Sequence, residues 1–347
     1  MKIKALITIL IIALGTVSAS AQGDSYVLKG SVGESRIDMT LVRDGDALSG
    51  TYSYVKVGKP IALAGSIGAD GKFGLTESAS GVKSGSFSGT WTVTDSGIVT
   101  LNGEWSNPAG SKTLSFDLSQ QMIFFTGNAK IATKLFTESN KPKMFDITVE
   151  YPELSGVAPA VAAEFNRLAK SKAMSDMADF RKGMLAQTAE DLKWSKERGM
   201  NNYSETFYNI TYADDEVISL WYGNSSYSGG AHPNSHSFTL NFDLKTGKEI
   251  GIGDLFRPRS NYLQVLSTYC VQELKKEIED ASDDEWIARG AGPKAENYRS
   301  WNISKNGIVV NFDAYQVAAY VAGPQEVVVP FVKLRGIFGK SYSILGR

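Results

Sequence analysis

Histidine and cysteine are almost missing from this chain of 347 residues, which has two of the former, His232 and His236, and one of the latter, Cys270. A single thiol excludes an intramolecular disulfide and a cysteine-rich zinc site, and two imidazoles remove most histidine-based catalytic schemes. No surplus of positive charge exists either. Lys+Arg 36 against Asp+Glu 37 gives a formal net charge of -1, so nothing is available to neutralise a phosphate backbone and nucleic acid is not expected as a partner. Beyond the first residues, no apolar run approaches the roughly 20 residues that span a bilayer. The 42% of hydrophobic residues is ordinary for a globular chain. At about 100–200 residues per domain the length suggests two domains, each held by its core alone.

The N-terminus reads as an address. Lys2 and Lys4 precede an apolar stretch, Ala5 to Leu14, broken only by Thr8, and small residues follow up to Ala19-Ser20-Ala21-Gln22. This order predicts a secretory signal over residues 1–21 with cleavage after Ala21, and hence a soluble periplasmic or extracellular molecule with no transmembrane segment after cleavage. In that oxidising setting the lone Cys270 is informative. It lies among Tyr262, Val265, Leu266, Tyr269, Leu274 and Ile278, which recur at helical spacing, so it is expected to be a buried small apolar residue.

Residues 24–120 are glycine-rich and alternate with period two. Examples are Ile37-x-Met39-x-Leu41, Phe73-x-Leu75 and Leu114-x-Phe116-x-Leu118, separated by turn pairs such as Asp44-Gly45, Asp70-Gly71 and Ser96-Gly97. About eight short strands joined by hairpin-length loops predict an all-β antiparallel meander or small barrel. Three triplets place an apolar residue, a glycine and an aromatic ring on one face: Leu48/Gly50/Tyr52, Phe87/Gly89/Trp91 and Leu101/Gly103/Trp105. They fit a curved barrel filled by its own side chains, or a calyx in which Tyr52, Trp91 and Trp105 capture a small ligand.

Residues 121–143 lack clear periodicity and are expected to link the halves. Residues 144–340 predict a two-layer α+β domain, making the chain α+β overall. Phe145-x-Ile147-x-Val149 reads as a strand, Val161, Phe165 and Leu168 as a helical stripe, and Ser175 to about Glu197 as a second helical tract opened by Ser175 or Asp176. Further strands are expected at Tyr203–Tyr212, Glu216–Tyr222, Ser237–Leu244, Trp301–Ser304, Ile308–Phe312 and Val327–Val329.

The most specific string is Tyr227-Ser228-Gly229-Gly230-Ala231-His232-Pro233-Asn234, which runs on to Asn241-Phe242-Asp243-Leu244-x-Thr246-Gly247-Lys248. Asp254-Leu255-Phe256 and Tyr315-x-Val317-Ala318-x-Tyr320-x-Ala322-Gly323 follow. In this order of strings the sequence resembles the extracellular module of RsiV-type anti-sigma factors and the accessory region of PdaC-type polysaccharide deacetylases. The resemblance covers roughly 144–335 and implies an α+β fold outside the membrane. For the anti-sigma branch it also implies binding of lysozyme. For the deacetylase branch it implies that catalysis belongs to a separate metal-binding domain, whose motif is not found here. The membrane-spanning helix and intracellular segment of the anti-sigma branch are likewise not seen in this sequence.

The Gly-Gly-Ala-His-Pro-Asn run predicts a tight loop between strands, since adjacent glycines permit positive φ and Pro233 fixes its own. His232 then either anchors the loop through Asn234 or Asp243, or joins Tyr227, Gly229, Gly230, Asn234 and Asp243 in a ligand-binding surface. No metal site is expected. His232 and His236 are four apart but in extended chain stand about 13 Å from each other, too far to share one ion. No catalytic residues are assigned, and no cofactor is expected. The leading expectation is an exported, non-catalytic envelope protein that binds a lysozyme-like protein or a peptidoglycan fragment. The alternatives are a metal-dependent hydrolase of envelope polymers using His232 with Asp243, and small-ligand capture by the N-terminal barrel.

Overall fold

The computed structural model describes residues 23–229, 232–278, 284–340 and 342–346. The expected signal over 1–21 and the candidate Gly230 lie outside the described residues. The N-terminal strands are β1 (Asp24–Val32), β2 (Ser35–Asp44), β3 (Ala47–Tyr54), β4 (Ile61–Ile67), β5 (Lys72–Ala79), β6 (Val82–Val93), β7 (Val99–Ser106) and β8 (Thr113–Gln120). Each pairs antiparallel with the next, and β1 pairs with β8 to close a barrel. Eight strands leave an interior just wide enough for side chains to fill. Leu28, Ile37, Leu41, Leu101 and Leu118 are all within 1% of full burial.

The three glycine triplets point inward. Gly89 stands directly opposite Gly103 in the β6–β7 ladder, and a Cβ on Gly103 would come within 2.5 Å of the Gly89 Cα. Only bare backbone permits that approach, which lets the wall coil tightly. The rings pack on one another: Tyr52 on Phe87 at 5.4 Å, Phe87 on Phe116 at 5.3 Å, and Tyr26 edge-on to Trp91 at 4.8 Å. The triplets therefore build a core. Tyr52 and Trp91 pack on neighbouring rings, as the expectation of a barrel filled by its own side chains requires. One carboxylate joins them: buried Glu77 accepts hydrogen bonds on Oε2 from the Tyr52 hydroxyl at 2.6 Å and from Trp105 Nε1 at 2.7 Å.

The C-terminal half comprises β9 (Lys130–Asn140), β10 (Phe145–Ser155), α1 (Pro159–Ala173), α2 (Ser175–Ala186), α3 (Ala189–Glu197), β11 (Asn202–Ala213), β12 (Val217–Tyr227), β13 (Asn234–Asp243) and β14 (Lys248–Glu249). Then come α4 (Tyr262–Glu277), α5 (Asp284–Gly290), β15 (Trp301–Ile303), β16 (Gly307–Phe312), β17 (Gln325–Pro330) and α6 (Phe331–Leu334). A six-stranded mixed sheet has the order β14-β13-β12-β11-β10-β9, and a three-stranded sheet has the order β15-β16-β17. The β10–β11 pair is parallel, which requires a long crossover, and α1 to α3 supply it.

Two expectations change here. Residues 121–143 do more than connect, because β9 forms a full edge strand along β10. The tract Ser175–Glu197 is two helices. Thr188 interrupts it as the N-cap of α3, accepting from Asp191 N while Asp191 accepts from Thr188 N, a reciprocal capping box. Ser175 instead donates its hydroxyl to Lys172 O, and no side chain caps α2.

One face of the large sheet packs Ile147, Val149, Leu220, Leu240 and Phe242 against Phe165 and Ala169 of α1. A second core lies between the small sheet and α4 and holds Cys270. Burial pushes that thiol up to about 12, so almost no thiolate forms near neutrality. A thiol reagent is accordingly expected to leave Cys270 unmodified in the folded protein and to label it fully in denaturant, as read by intact mass.

The barrel is fused to the large sheet through charge. Glu150, fully buried, pairs with Lys29 Nζ at 3.0 Å and Arg36 Nε at 3.2 Å. Lys29 also donates to Thr133 Oγ1 and lies 3.9 Å from the Tyr208 ring centroid. Beside this cluster a register shift between Ile210 and Tyr212 opens the β11 ladder. The freed backbone is taken up by the segment leaving the barrel: Gln121 Oε1 accepts from Ile210 N, Met122 N donates to Ile210 O, and Ala213 N donates to Met122 O.

Candidate functional site

Among the described residues, the second face of the large sheet is not covered by helices. Along β11 and β12 it carries Phe207, Asn209, Thr211, Ser219, Trp221 and Gly223, with Phe207 opposite Gly223 and Asn209 opposite Trp221. The small sheet docks on the inner part of this face. Ser219 Oγ donates to Asn241 Oδ1 at 2.6 Å and accepts from Asn302 Nδ2 and Ile303 N, while Asn311 Nδ2 donates to Asn302 Oδ1. This buried amide–hydroxyl network fixes the two sheets in one arrangement.

Between the large sheet, the β16–β17 edge and the barrel wall, a cleft remains. It has a lobe of about 370 Å³ over Phe207, Trp221 and Gly223, and an adjoining lobe of about 210 Å³ that reaches Thr100 and Gln120 of the barrel. Trp221, Asn311 and Glu326 line both lobes. Gly223 makes the floor possible: a Cβ there would stand 2.7 Å from Phe207 Cζ and 2.7 Å from Trp221 Cη2. Without it, the two rings lie over bare backbone with centroids 5.8 Å apart. Around this apolar floor stand the amides of Asn209, Asn302, Asn311 and Gln325, the hydroxyls of Thr100 and Ser237, and the carboxylates of Asp313 and Glu326. A concave apolar seat with a few convergent polar groups is the usual form of a small-molecule site.

None of the described sequence-derived candidates lines either lobe of this cleft. Tyr227, at the end of β12, stacks on Tyr203 at 6.5 Å. Gly229 has φ of +100°, a value that glycine adopts readily, and its nearest side-chain neighbours are Met200 and Trp194. His232 is exposed; its Nδ1 lies 2.9 Å from Pro233 O and its ring stacks on Tyr320 at 4.7 Å, with Tyr315 next in line at 5.3 Å from Tyr320. Asn234 opens β13 as an exposed residue opposite Ser226.

Asp243 belongs elsewhere. It closes β13, about 30 Å from Asn234 at about 3.4 Å per residue, so it is neither an anchor for His232 nor a member of a shared site. Asn234 is likewise not the anchor; Pro233 and Tyr320 take that place. Burial alone would raise the Asp243 carboxyl, but hydrogen bonds from the Tyr342 hydroxyl, at 2.6 Å, and from Thr246 N and Lys245 N hold it below its ordinary value. It pins a turn. The separation also removes the geometry on which a His232–Asp243 hydrolase depends. His236 points to the helix-covered face, where its Nε2 meets Asp176 Oδ2 at 3.0 Å. Among the described residues no group of three His, Cys, Asp or Glu side chains is placed to hold a metal ion.

Comparison with known proteins places the C-terminal half. Residues 138–235 match the family model described as Deacetylase PdaC, and residues 253–332 match the model described as Protein of unknown function (DUF3298). The chain is 29% identical over 217 residues to the peptidoglycan-N-acetylmuramic acid deacetylase PdaC of Bacillus subtilis (strain 168), covering 62% of this chain and 43% of that protein. It thus spans less than half of that relative's length. A DUF3298 family member from Bacteroides fragilis NCTC 9343 superposes with a TM-score of 0.46 at 17% identity, over 64% of this chain and 97% of that one. A DUF3298 family protein from Pseudomonas aeruginosa PAO1 gives 0.40 at 13% identity, over 62% and 96%. The C-terminal half is therefore related to a PdaC-type region followed by a DUF3298 region, and the eight-stranded barrel in front lies outside both matches.

Proposed function

We propose that this is an exported envelope protein that grips a cell-wall glycan, without transforming it, in the cleft over Phe207 and Trp221. The observation that carries the reading is the aromatic floor cleared by Gly223 and ringed by amides and hydroxyls. Sugar rings present apolar C–H faces and hydroxyl edges, so they match a flat ring below and hydrogen-bonding groups at the sides. The relationship to a protein named for a peptidoglycan sugar points to the same class of ligand, and the N-terminal signal expected from the sequence would deliver the chain to it. Calorimetric titration of the purified protein with peptidoglycan-derived oligosaccharides is expected to give saturable one-site binding with no change in the sugar. Silence across such fragments, or their turnover by the purified chain, would overturn the proposal.

A second reading, capture of a lysozyme-like protein, is favoured by a group of exposed rings around His232. His232, Tyr320 and Tyr315 form an exposed stacked ridge, and Val321 beside it is 95% exposed. On this reading His232→Ala weakens lysozyme binding in a pull-down and leaves the melting temperature nearly unchanged. Exposed substitutions of this kind stay within about 0.5 kcal/mol of neutral.

A further inference from the structure

The cleft holds two acidic side chains, Asp313 and Glu326, and no lysine or arginine, and the histidine in its lining, His236, is paired with Asp176. Arg36 lies 4.4 Å from the Phe207 ring centroid and is held by Glu150. Together with Lys29 it faces Glu150, Asp38, Asp117 and Glu205, and Lys56 and Glu34 also act on Glu205, so Arg36 is already engaged by carboxylates.

The two acids of the cleft differ in how they are used. Asp313 Oδ1 already accepts from Ser237 N at 3.0 Å and from Ser237 Oγ at 2.9 Å. Glu326 stands where the lobes meet, and its carboxylate has no hydrogen-bond or ion-pair partner among the described residues. A carboxylate left open above an aromatic floor is complemented best by a positively charged donor, since a charge-assisted hydrogen bond is roughly twice as strong as a neutral one. A ligand carboxylate set directly beside Glu326 would meet repulsion, so any acidic group of the glycan must lie away from it.

We propose that the cleft selects glycans bearing free 2-amino groups, that is, de-N-acetylated hexosamine units, over the same glycans fully N-acetylated, with Glu326 receiving the ammonium. This rests on the reading of the cleft as a glycan site. Glu326 is exposed along its strand, but the groups packed around its carboxyl and the like charge of Asp95 still raise it above its ordinary value, and an ammonium set against it would bring that value back down.

The test uses two tetrasaccharides of equal length, one of N-acetylglucosamine and one of glucosamine. Both are titrated calorimetrically into the full protein and into Glu326→Gln, at a mildly acidic pH that keeps the sugar amines protonated. The wild-type chain is expected to prefer the amino form by about tenfold, and in Glu326→Gln the ratio of affinities falls to near unity. Equal affinities for the two sugars in the wild type, or a preference that survives in Glu326→Gln, would overturn the selection while leaving the glycan site standing. If neither tetrasaccharide nor any peptidoglycan fragment binds, the glycan reading fails and this inference with it.

Discussion

Trp221→Ala is expected to weaken binding of a peptidoglycan-derived oligosaccharide by about 10–100-fold, the range set by deleting a large aromatic contact at the centre of a site. Trp221 is half-buried and its deletion removes half of the floor while the helix-covered face of β12 stays intact. The loss should therefore appear in calorimetry with a cooperative melting transition retained. Gly223→Ala reaches the same floor differently. It adds one methyl group and removes nothing, yet that carbon would stand 2.7 Å from both rings, so one or both must move. Affinity should fall with it. Were Gly223→Ala to bind as tightly as the wild type, the ring positions would not matter and the cleft would lose its claim to be the site.

The largest stability effect is expected at the joint between barrel and sheet. Lys29→Met leaves Glu150, 0% exposed, with Arg36 as its remaining ion-pair partner. Breaking a buried pair from one side costs about 3–5 kcal/mol, because a charge is left poorly compensated where water cannot reach it. Replacing both members, as Lys29→Met with Glu150→Gln, should recover much of that loss in a denaturant titration. The pH dependence has a definite sign. Desolvation opposes ionisation of Glu150, but Lys29 and Arg36 outweigh it and hold the carboxyl below its ordinary value of 4.5. The stabilisation it confers is thus present above that pH and lost as pH falls through the folded value. Lys29, also opposed by desolvation but held above 10.5 by Tyr208, Glu150 and Asp38, keeps its contribution until pH rises past its folded value. The stability difference between wild type and Glu150→Gln should therefore shrink below about pH 4.5, and a difference that grew there would contradict the assignment.

Much of the barrel was legible because inward and outward residues alternate at period two, and the triplets announced their own face. The same reasoning applied to Trp221-Tyr222-Gly223 would have revealed the floor of the cleft, since ring and glycine share a side there too. The walls were hidden. Thr100, Trp221, Asn311 and Glu326 meet only after two sheets and a barrel have docked, and nothing local to any of them encodes that meeting. Glu77 shows the same limit: its parity with Phe73 and Leu75 aims it inward, but the hydroxyl and indole that satisfy it arrive from Tyr52 and Trp105 on other strands. β9 escaped notice because an edge strand buries little and so carries a weak pattern. The break before α3 was visible in Thr188 and Asp191, three apart, and was masked by the apolar spacing on either side. His232 stood out in the sequence, but its ring partner, Tyr320, lies in another of the strings, and only the fold brings the two rings together.

Amide hydrogen exchange with and without a peptidoglycan-derived oligosaccharide tests the central claim most directly. Slowed exchange on ligand addition should concentrate in β12 around Trp221–Gly223 and in the β16–β17 edge at Asn311 and Glu326. Protection confined to the barrel interior, or to the turn around Asp243, would contradict the account.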